Sequence, residues 1–295
     1  MRFSSLPFLF GFLPITLAIY FAVPLRWRNL ALLLASLVFY SWGEPVYISI
    51  MVLSILIDYT HGLLVEKYRS RDKLARWFVA ESVLLNLGLL GFFKYWDFFA
   101  ANLSLIPGVS IPTLGLPLPI GISFFTFQTM SYTIDVFKRR CRIETNPLHY
   151  ALFVSFFPTL INGPIERYPQ MRPQIQKSRR FSYGRCAGGA FRMLWGYTKK
   201  MVIADNLSQY VSLVYGDVSG ISGPNLVAAT VLFAVQLYMD FSGCCDIALG
   251  AARILGYDLI ENFQSPFEAR TFNDFWRRWH ISMTSWFRDY VYFSL

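Results

Sequence analysis

Residues 275–290 read Phe-Trp-Arg-Arg-Trp-His-Ile-Ser-Met-Thr-Ser-Trp-Phe-Arg-Asp-Tyr, setting one histidine, His280, among three tryptophans and three arginines. A histidine in apolar surroundings keeps a low pKa and stays neutral, the state in which it accepts a proton from an alcohol. Arg277, Arg278 and Arg288 beside it are suited to anionic oxygens such as those of phosphates. No serine or cysteine nucleophile motif accompanies them. Trp276, Trp279, Met283, Trp286 and Tyr290 step by three, four, three and four, which predicts a single amphipathic helix with His280 at the margin of its aromatic side. The same pattern also suits a helix lying in a membrane interface, with aromatics toward lipid or core and arginines toward phosphates.

Other polar residues stand in apolar surroundings: Glu81, Asp135, Asn162, Asp240 and Asp246. Carboxylates at membrane depth are costly, and those that persist line polar interiors. Asp240 and Asp246 bracket Phe-Ser-Gly-Cys-Cys at 241–245 and are expected to line a shared polar space, with Asn162 a further lining candidate. Asp58 and His61, spaced i,i+3, are expected to form a hydrogen-bonded pair rather than a proton relay.

These residues must be positioned by elements built for lipid. Hydrophobic residues make up 55% of the chain and charged ones 15%, with a mean hydropathy of +0.40, which excludes a disordered chain and implies an integral membrane protein. The net charge of +9 is spread in short runs between apolar segments, the pattern of cytoplasmic loops rather than of a nucleic-acid binder. Cys141, Cys186, Cys244 and Cys245 show neither metal-ligand nor disulfide spacing and read as reduced, small apolar fillers; no metal site is indicated.

Apolar stretches at 7–24, 30–42, 46–65 and 78–93 read as the first helices, and the basic loop 67–76 places the N-terminus outside. Residues 94–119, with Pro107, Pro112 and Pro117, read as an external loop. The stretch 118–137 returns inward to the basic run 138–142. Residues 149–162, about 14 long, are short of the ~20 needed to cross and read as re-entrant between basic flanks. The 188–206 stretch, with Arg192, Lys199 and Lys200 among apolar residues, reads as amphipathic; 225–240 reads as an ordinary span and 244–255 as a separate short apolar piece. The fold class is an all-α polytopic bundle of spanning and re-entrant helices, with residues 1–295 as a single membrane-embedded domain.

Taken in order, residues 119–128 (Pro-Ile-Gly-Ile-Ser-Phe-Phe-Thr-Phe-Gln), 131–136, 157–168 (Phe-Pro-Thr-Leu-Ile-Asn-Gly-Pro-Ile-Glu-Arg-Tyr), 236–243, 261–266 (Glu-Asn-Phe-Gln-Ser-Pro) and 275–282 resemble the membrane-bound O-acyltransferases, and among them the bacterial alginate O-acetylases. The resemblance implies helices around a tunnel joining cytoplasm to the outer face of the cell inner membrane. It implies no bound cofactor, and an acyl donor, acetyl-CoA or a carrier-bound acyl group, on the cytoplasmic side. On the outer side it implies an exported polysaccharide acceptor such as alginate, or a periplasmic acetyltransferase partner. His280 matches the first of two family histidines, in a supporting role. The second, in a later Trp-His-Gly motif, has no match, and the uncapped run 292–295 reads as a chain continuing beyond Leu295; the 295 residues alone are expected to be inactive. A transporter or lipid-handling protein, whose sites also use broken helices and midplane carboxylates, and an inactive membrane scaffold are the competing readings.

Overall fold

Proline and glycine set many of the helix boundaries in the computed structural model, which describes every residue except Pro107, Ser178, Ser219 and Leu295, and Ser294 in its backbone only. The expectations placed on Pro107 and on the end of the chain at Leu295 therefore fall outside the described residues. No strand occurs among the described residues, and three helices, Ile48–Lys67, Asp72–Leu103 and Gly223–Ile254, are long and apolar enough to cross a membrane. The chain divides into two compact units, one of Asn29–Ile161 with Ile165–Lys177, the other of Met1–Arg28, Asn162–Pro164 and Ser178–Leu295.

The first of these units holds α2 (Arg28–Gly43), α3 (Ile48–Lys67), α4 (Asp72–Leu103), α5 (Ile122–Phe137), α6 (Pro147–Ser155), α7 (Phe157–Leu160) and α8 (Tyr168–Gln176). Helix α4 runs ten residues into what the sequence marks as loop, because 94–103 contains neither proline nor glycine and nothing there stops it. The Asp97 carboxylate accepts from the main-chain N–H groups of Leu114 (2.7 Å) and Gly115 (3.1 Å), tying down the irregular chain that follows.

Asp58 is fully buried on α3, but not against His61. Its carboxylate accepts from the Ser82 hydroxyl, Asn86 Nδ2 (2.7 Å) and the Thr133 hydroxyl (3.2 Å), so α3, α4 and α5 meet on neutral donors. His61 turns away, with Nδ1 donating to the Ile57 carbonyl at 2.7 Å and Nε2 3.4 Å from Glu81. The expected i,i+3 pair is thus corrected: a carboxylate with three better-placed donors, two on one oxygen and one on the other, has no need of the imidazole one turn on.

The short segment at 149–162 is two helices, broken at Phe156 (φ −53°, ψ 108°) ahead of Pro158 and buried throughout 152–160. The basic stretch after it contains α8, whose Tyr168 hydroxyl donates to buried Glu144; Arg172 lies 3.9 Å from the same carboxylate. Burial alone would raise the Glu144 pKa. Hydrogen bonds from Tyr168 and the Asn146 N–H, with His149 and Arg172 nearby, outweigh it and hold the group below the usual carboxylate range.

The other unit begins with a π-helical turn, Pro7–Phe12, leading into α1 (Leu13–Ala22). It continues with α9 (Tyr183–Tyr197), a π-helical stretch Thr198–Ala204, α10 (Asp205–Gly216), α11 (Gly223–Ile254), a 3-10 turn Pro266–Glu268, α12 (Phe272–Arg278) and α13 (Ile281–Tyr290). The expected span at 225–240 and the separate piece at 244–255 are one helix. Gly243, which lies between the two expected pieces, is a contact point.

Candidate functional site

Helices α9 and α11 touch backbone to backbone. A Cβ placed on Gly189 would lie 2.6 Å from the Gly250 carbonyl oxygen, and one on Gly196 would lie 2.6 Å from that of Gly243; Gly243 and Gly250 are equally closed from the other side. Small residues at such a spacing let two apolar helices pack at close range where no hydrophobic effect drives them together. Charged side chains beside the glycines are drawn into the same crossing. Arg192 donates through Nε (3.1 Å) and Nη2 (3.0 Å) to Asp246, Lys199 Nζ to the other Asp246 oxygen (2.7 Å), and Arg192 also clamps Glu261. Burial works against the Arg192 charge, but the Glu261 and Asp246 carboxylates outweigh it and leave the guanidinium more firmly charged than usual.

The sequence places Arg192, Lys199 and Lys200 on the polar face of a shallow amphipathic helix. They turn instead to the carboxylates of α11 and its surroundings: Lys200 Nζ lies 3.0 Å from Asp240 and 2.8 Å from Asp205. Asp240 and Asp246 therefore do not share one space. Six residues apart on a helix, they point about 120° from each other. The Asp246 side chain is 12% exposed between two cations, whereas that of Asp240 is 42% exposed with Lys200.

Beside Asp246 lies a polar cavity of ≈ 50 Å³, walled by Arg192, Lys199, Ser242, Glu261 and Asn262 among others, and wide enough for a water-sized group. The buried Ser242 hydroxyl has no hydrogen-bond partner among the described residues. Asn262 carries the arrangement to the histidine: its side-chain oxygen lies 3.2 Å from His280 Nδ1, and its Nδ2 donates to Cys245 Sγ (3.6 Å), whose thiol in turn donates to the Asn162 carbonyl (3.0 Å). Asn162, Cys245, Asn262 and His280 thus form one connected chain.

The terminal helix is corrected. It breaks at Trp279 and His280 into α12 and α13, with His280 as the residue capping α13 in a left-handed conformation (φ 45°, ψ 52°). A non-glycine residue costs free energy there and persists only where its surroundings fix it. The cause is the segment 262–264. Asn262 C=O accepts from Ile281 N–H and Gln264 N–H donates to Arg278 C=O, each at 3.0 Å, so backbone hydrogen bonds that a continuous helix would keep to itself go to a neighbour. Ser265, directly after that segment, is also left-handed (φ 44°).

His280 is 8% exposed, its ring perpendicular to Phe241 at 4.8 Å, with Phe263 and Trp279 completing an aromatic wall. Burial pushes its pKa down from 6.5 to about 4, so it is neutral at pH 7. Of the three arginines, Arg278 donates to Asp274 (3.0 Å), Arg288 to Asp289 (2.9 Å), and Arg277 is exposed on α12. They are spread along the broken pair of helices rather than gathered at the histidine.

A helical membrane chain, with transmembrane-length helices and a neutral histidine held at a helix break beside a charged crossing, agrees with what similarity shows. Residues 46–295 match the model of the membrane-bound O-acyltransferase family, and the chain belongs to that family. It is 36% identical over its whole length to a probable alginate O-acetylase of Azotobacter vinelandii, of which it covers 60%. It is 35% identical to a peptidoglycan O-acetyltransferase of Helicobacter pylori, again over its whole length and covering 62% of that protein. A teichoic acid D-alanyltransferase of Bacillus subtilis is 29% identical over 84% of the chain, which covers 66% of it. The chain spans about 60% of the length of the first two of these relatives.

Proposed function

We propose that the protein takes part in O-acyl transfer at the bacterial inner membrane, with an envelope polysaccharide, alginate being the leading choice, as acceptor on the outer side. The donor in this reading is a cytoplasmic thioester, acetyl-CoA or an acyl group on a carrier. The acceptor oxygen bonds to the acyl carbon, the carbon–sulfur bond breaks, and the departing thiolate takes up the proton the hydroxyl loses. His280 supports that transfer from its fixed position, with Asn162, Asp246 and the cavity beside them forming part of the polar path. Arg277, exposed one helical turn before His280, is the most accessible of the three arginines for donor phosphates, with Asp274 nearby; Arg278 and Arg288 would have to exchange their hydrogen-bonded carboxylates.

The observation that carries the reading is His280 itself: buried, neutral, and held in a left-handed break inside the matched family region. The names of the relatives, an alginate O-acetylase and a peptidoglycan O-acetyltransferase, favour an acetyl group and a polysaccharide-containing acceptor; in this reading the polymer accepts directly or through a periplasmic acetyltransferase. The test is to supply membranes carrying the protein with labelled acetyl-CoA and to follow label into polymer. Label entering an outer-face polymer only when the protein is present supports the reading; label that stays in the donor pool while the protein is folded contradicts it.

A further inference from the structure

The hydrogen bonds around Asn262 decide more than the position of His280. Its side-chain oxygen faces three groups: the main-chain N–H of Ser282 (3.1 Å), the Ser282 hydroxyl (2.9 Å) and His280 Nδ1 (3.2 Å). A main-chain N–H can only donate, so the end of the amide that meets Ser282 must be the oxygen. The opposite end agrees, since Cys245 gives its own proton to the Asn162 carbonyl and leaves its sulfur to accept from Asn262 Nδ2. An amide oxygen has no proton to give. His280 Nδ1 must therefore carry the hydrogen, and a neutral imidazole with Nδ1–H has its lone pair on Nε2.

We propose that Asn262 is a positioning residue that holds His280 in the Nδ1-protonated form and so presents Nε2 as a hydrogen-bond acceptor to the hydroxyl of the acyl acceptor. The hydrogen bond made by one ring nitrogen selects the form of the other. Nε2 makes no hydrogen bond to any described residue, and the buried ring is packed perpendicular to Phe241 at 4.8 Å. The low pKa of His280 keeps the ring neutral, so that its two tautomers, rather than its charge, are what Asn262 selects between. The charged groups nearest Asn262, namely Arg192, Lys199, Asp246 and Glu261, are paired with one another across the cavity. The role assigned to Nε2 rests on the acyl-transfer reading above; the tautomer does not.

Nitrogen NMR on the whole protein, histidine-labelled and in bilayers, reads the tautomer directly, with His280 identified by the signal lost in His280→Gln. The wild type is expected to show Nδ1–H with a bare Nε2. Asn262→Ala should lose that preference and lower acyl transfer per folded molecule by about tenfold or more, well short of the ~10⁴ lost when a catalytic imidazole is held in the wrong tautomer. Asn262→Asp, which keeps an acceptor oxygen for Ser282 and His280, should restore Nδ1–H. A wild-type spectrum with the proton on Nε2, or an unchanged tautomer in Asn262→Ala, would overturn the proposal. Nδ1–H in a folded protein that transfers no acyl group would support the assignment to Asn262 and count against the acyl-transfer reading instead.

Discussion

Asp58 and Asp246 are both buried carboxylates on helices of transmembrane length, yet the molecule treats them in opposite ways. Asp58 is met by neutral donors from α4 and α5, and its helix is regular around it. Asp246 is met by two cations, adjoins a cavity and an unpartnered hydroxyl, and leads through Cys245 and Asn262 to a histidine in a strained backbone. Polar residues that fasten helices are fully satisfied and unstrained. Where strain, paired charges and unsatisfied groups collect together, packing alone does not account for them, and function is the better hypothesis.

The largest effect should come from removing Asp246. Breaking a buried pair strands its partners at a cost of roughly 3–5 kcal/mol, here with Arg192 and Lys199 both affected, so Asp246→Ala should lower the folded fraction in membranes sharply. Asp240→Ala, which removes a carboxylate 42% exposed beside Lys200, should cost less than about 1 kcal/mol. Equal losses in thermal unfolding of the two variants would erase the contrast between a buried and a surface pair.

Next in size is the helix crossing. Gly196→Val puts a side chain into the Gly243 carbonyl, an overpacking worth about 1–3 kcal/mol, while Gly184→Ala, at a helix position with open space around it, should be neutral or stabilising by up to ~1 kcal/mol. Folded yields compared by size-exclusion chromatography in detergent check this. A well-folded Gly196→Val protein would mean the two helices do not touch as described.

A smaller effect is expected with pH. His280 takes up a proton near 6.5 when unfolded but only near 4 when folded. Between those values the folded state binds fewer protons, so its stability rises with pH across the window and is lost as pH falls from 6.5 toward 4. Carboxylates titrate in part of the same range, so the measurement is the difference between wild type and His280→Gln. The variant should show the shallower decline; parallel curves would place His280 in a more solvated setting.

The sequence shows the helical class, the first apolar elements and the shortness of the piece at 149–162, because apolar runs and segment length are local signals. It does not show the break at His280. Trp276, Trp279, Met283, Trp286 and Tyr290 keep helical spacing straight through it, and no proline or glycine marks it. The break is made by hydrogen bonds to residues 262–264, some eighteen positions earlier, and no window of local sequence contains both partners. Asn162, Asp246 and His280 are recognisable as candidates from their types and surroundings. Asn262, Arg192 and Lys199 are not, although a signal exists: Gly189 and Gly196, Gly243 and Gly250, and Arg192 and Lys199 are each spaced by seven, as two helices meeting along one seam require.

The central claim is that His280 belongs to the chemistry whereas Asp58 belongs to the framework, and one measurement separates them. Acyl transfer to polymer is compared per folded molecule in membranes carrying the wild type, His280→Ala and Asp58→Asn in the otherwise whole protein. The account predicts near-normal folded levels but a loss of about 10²–10⁴ for His280→Ala, the usual range for a group assisting proton transfer. For Asp58→Asn it predicts reduced folded levels with unchanged transfer by each folded molecule. Full transfer by His280→Ala, or loss of transfer in folded Asp58→Asn, would contradict it.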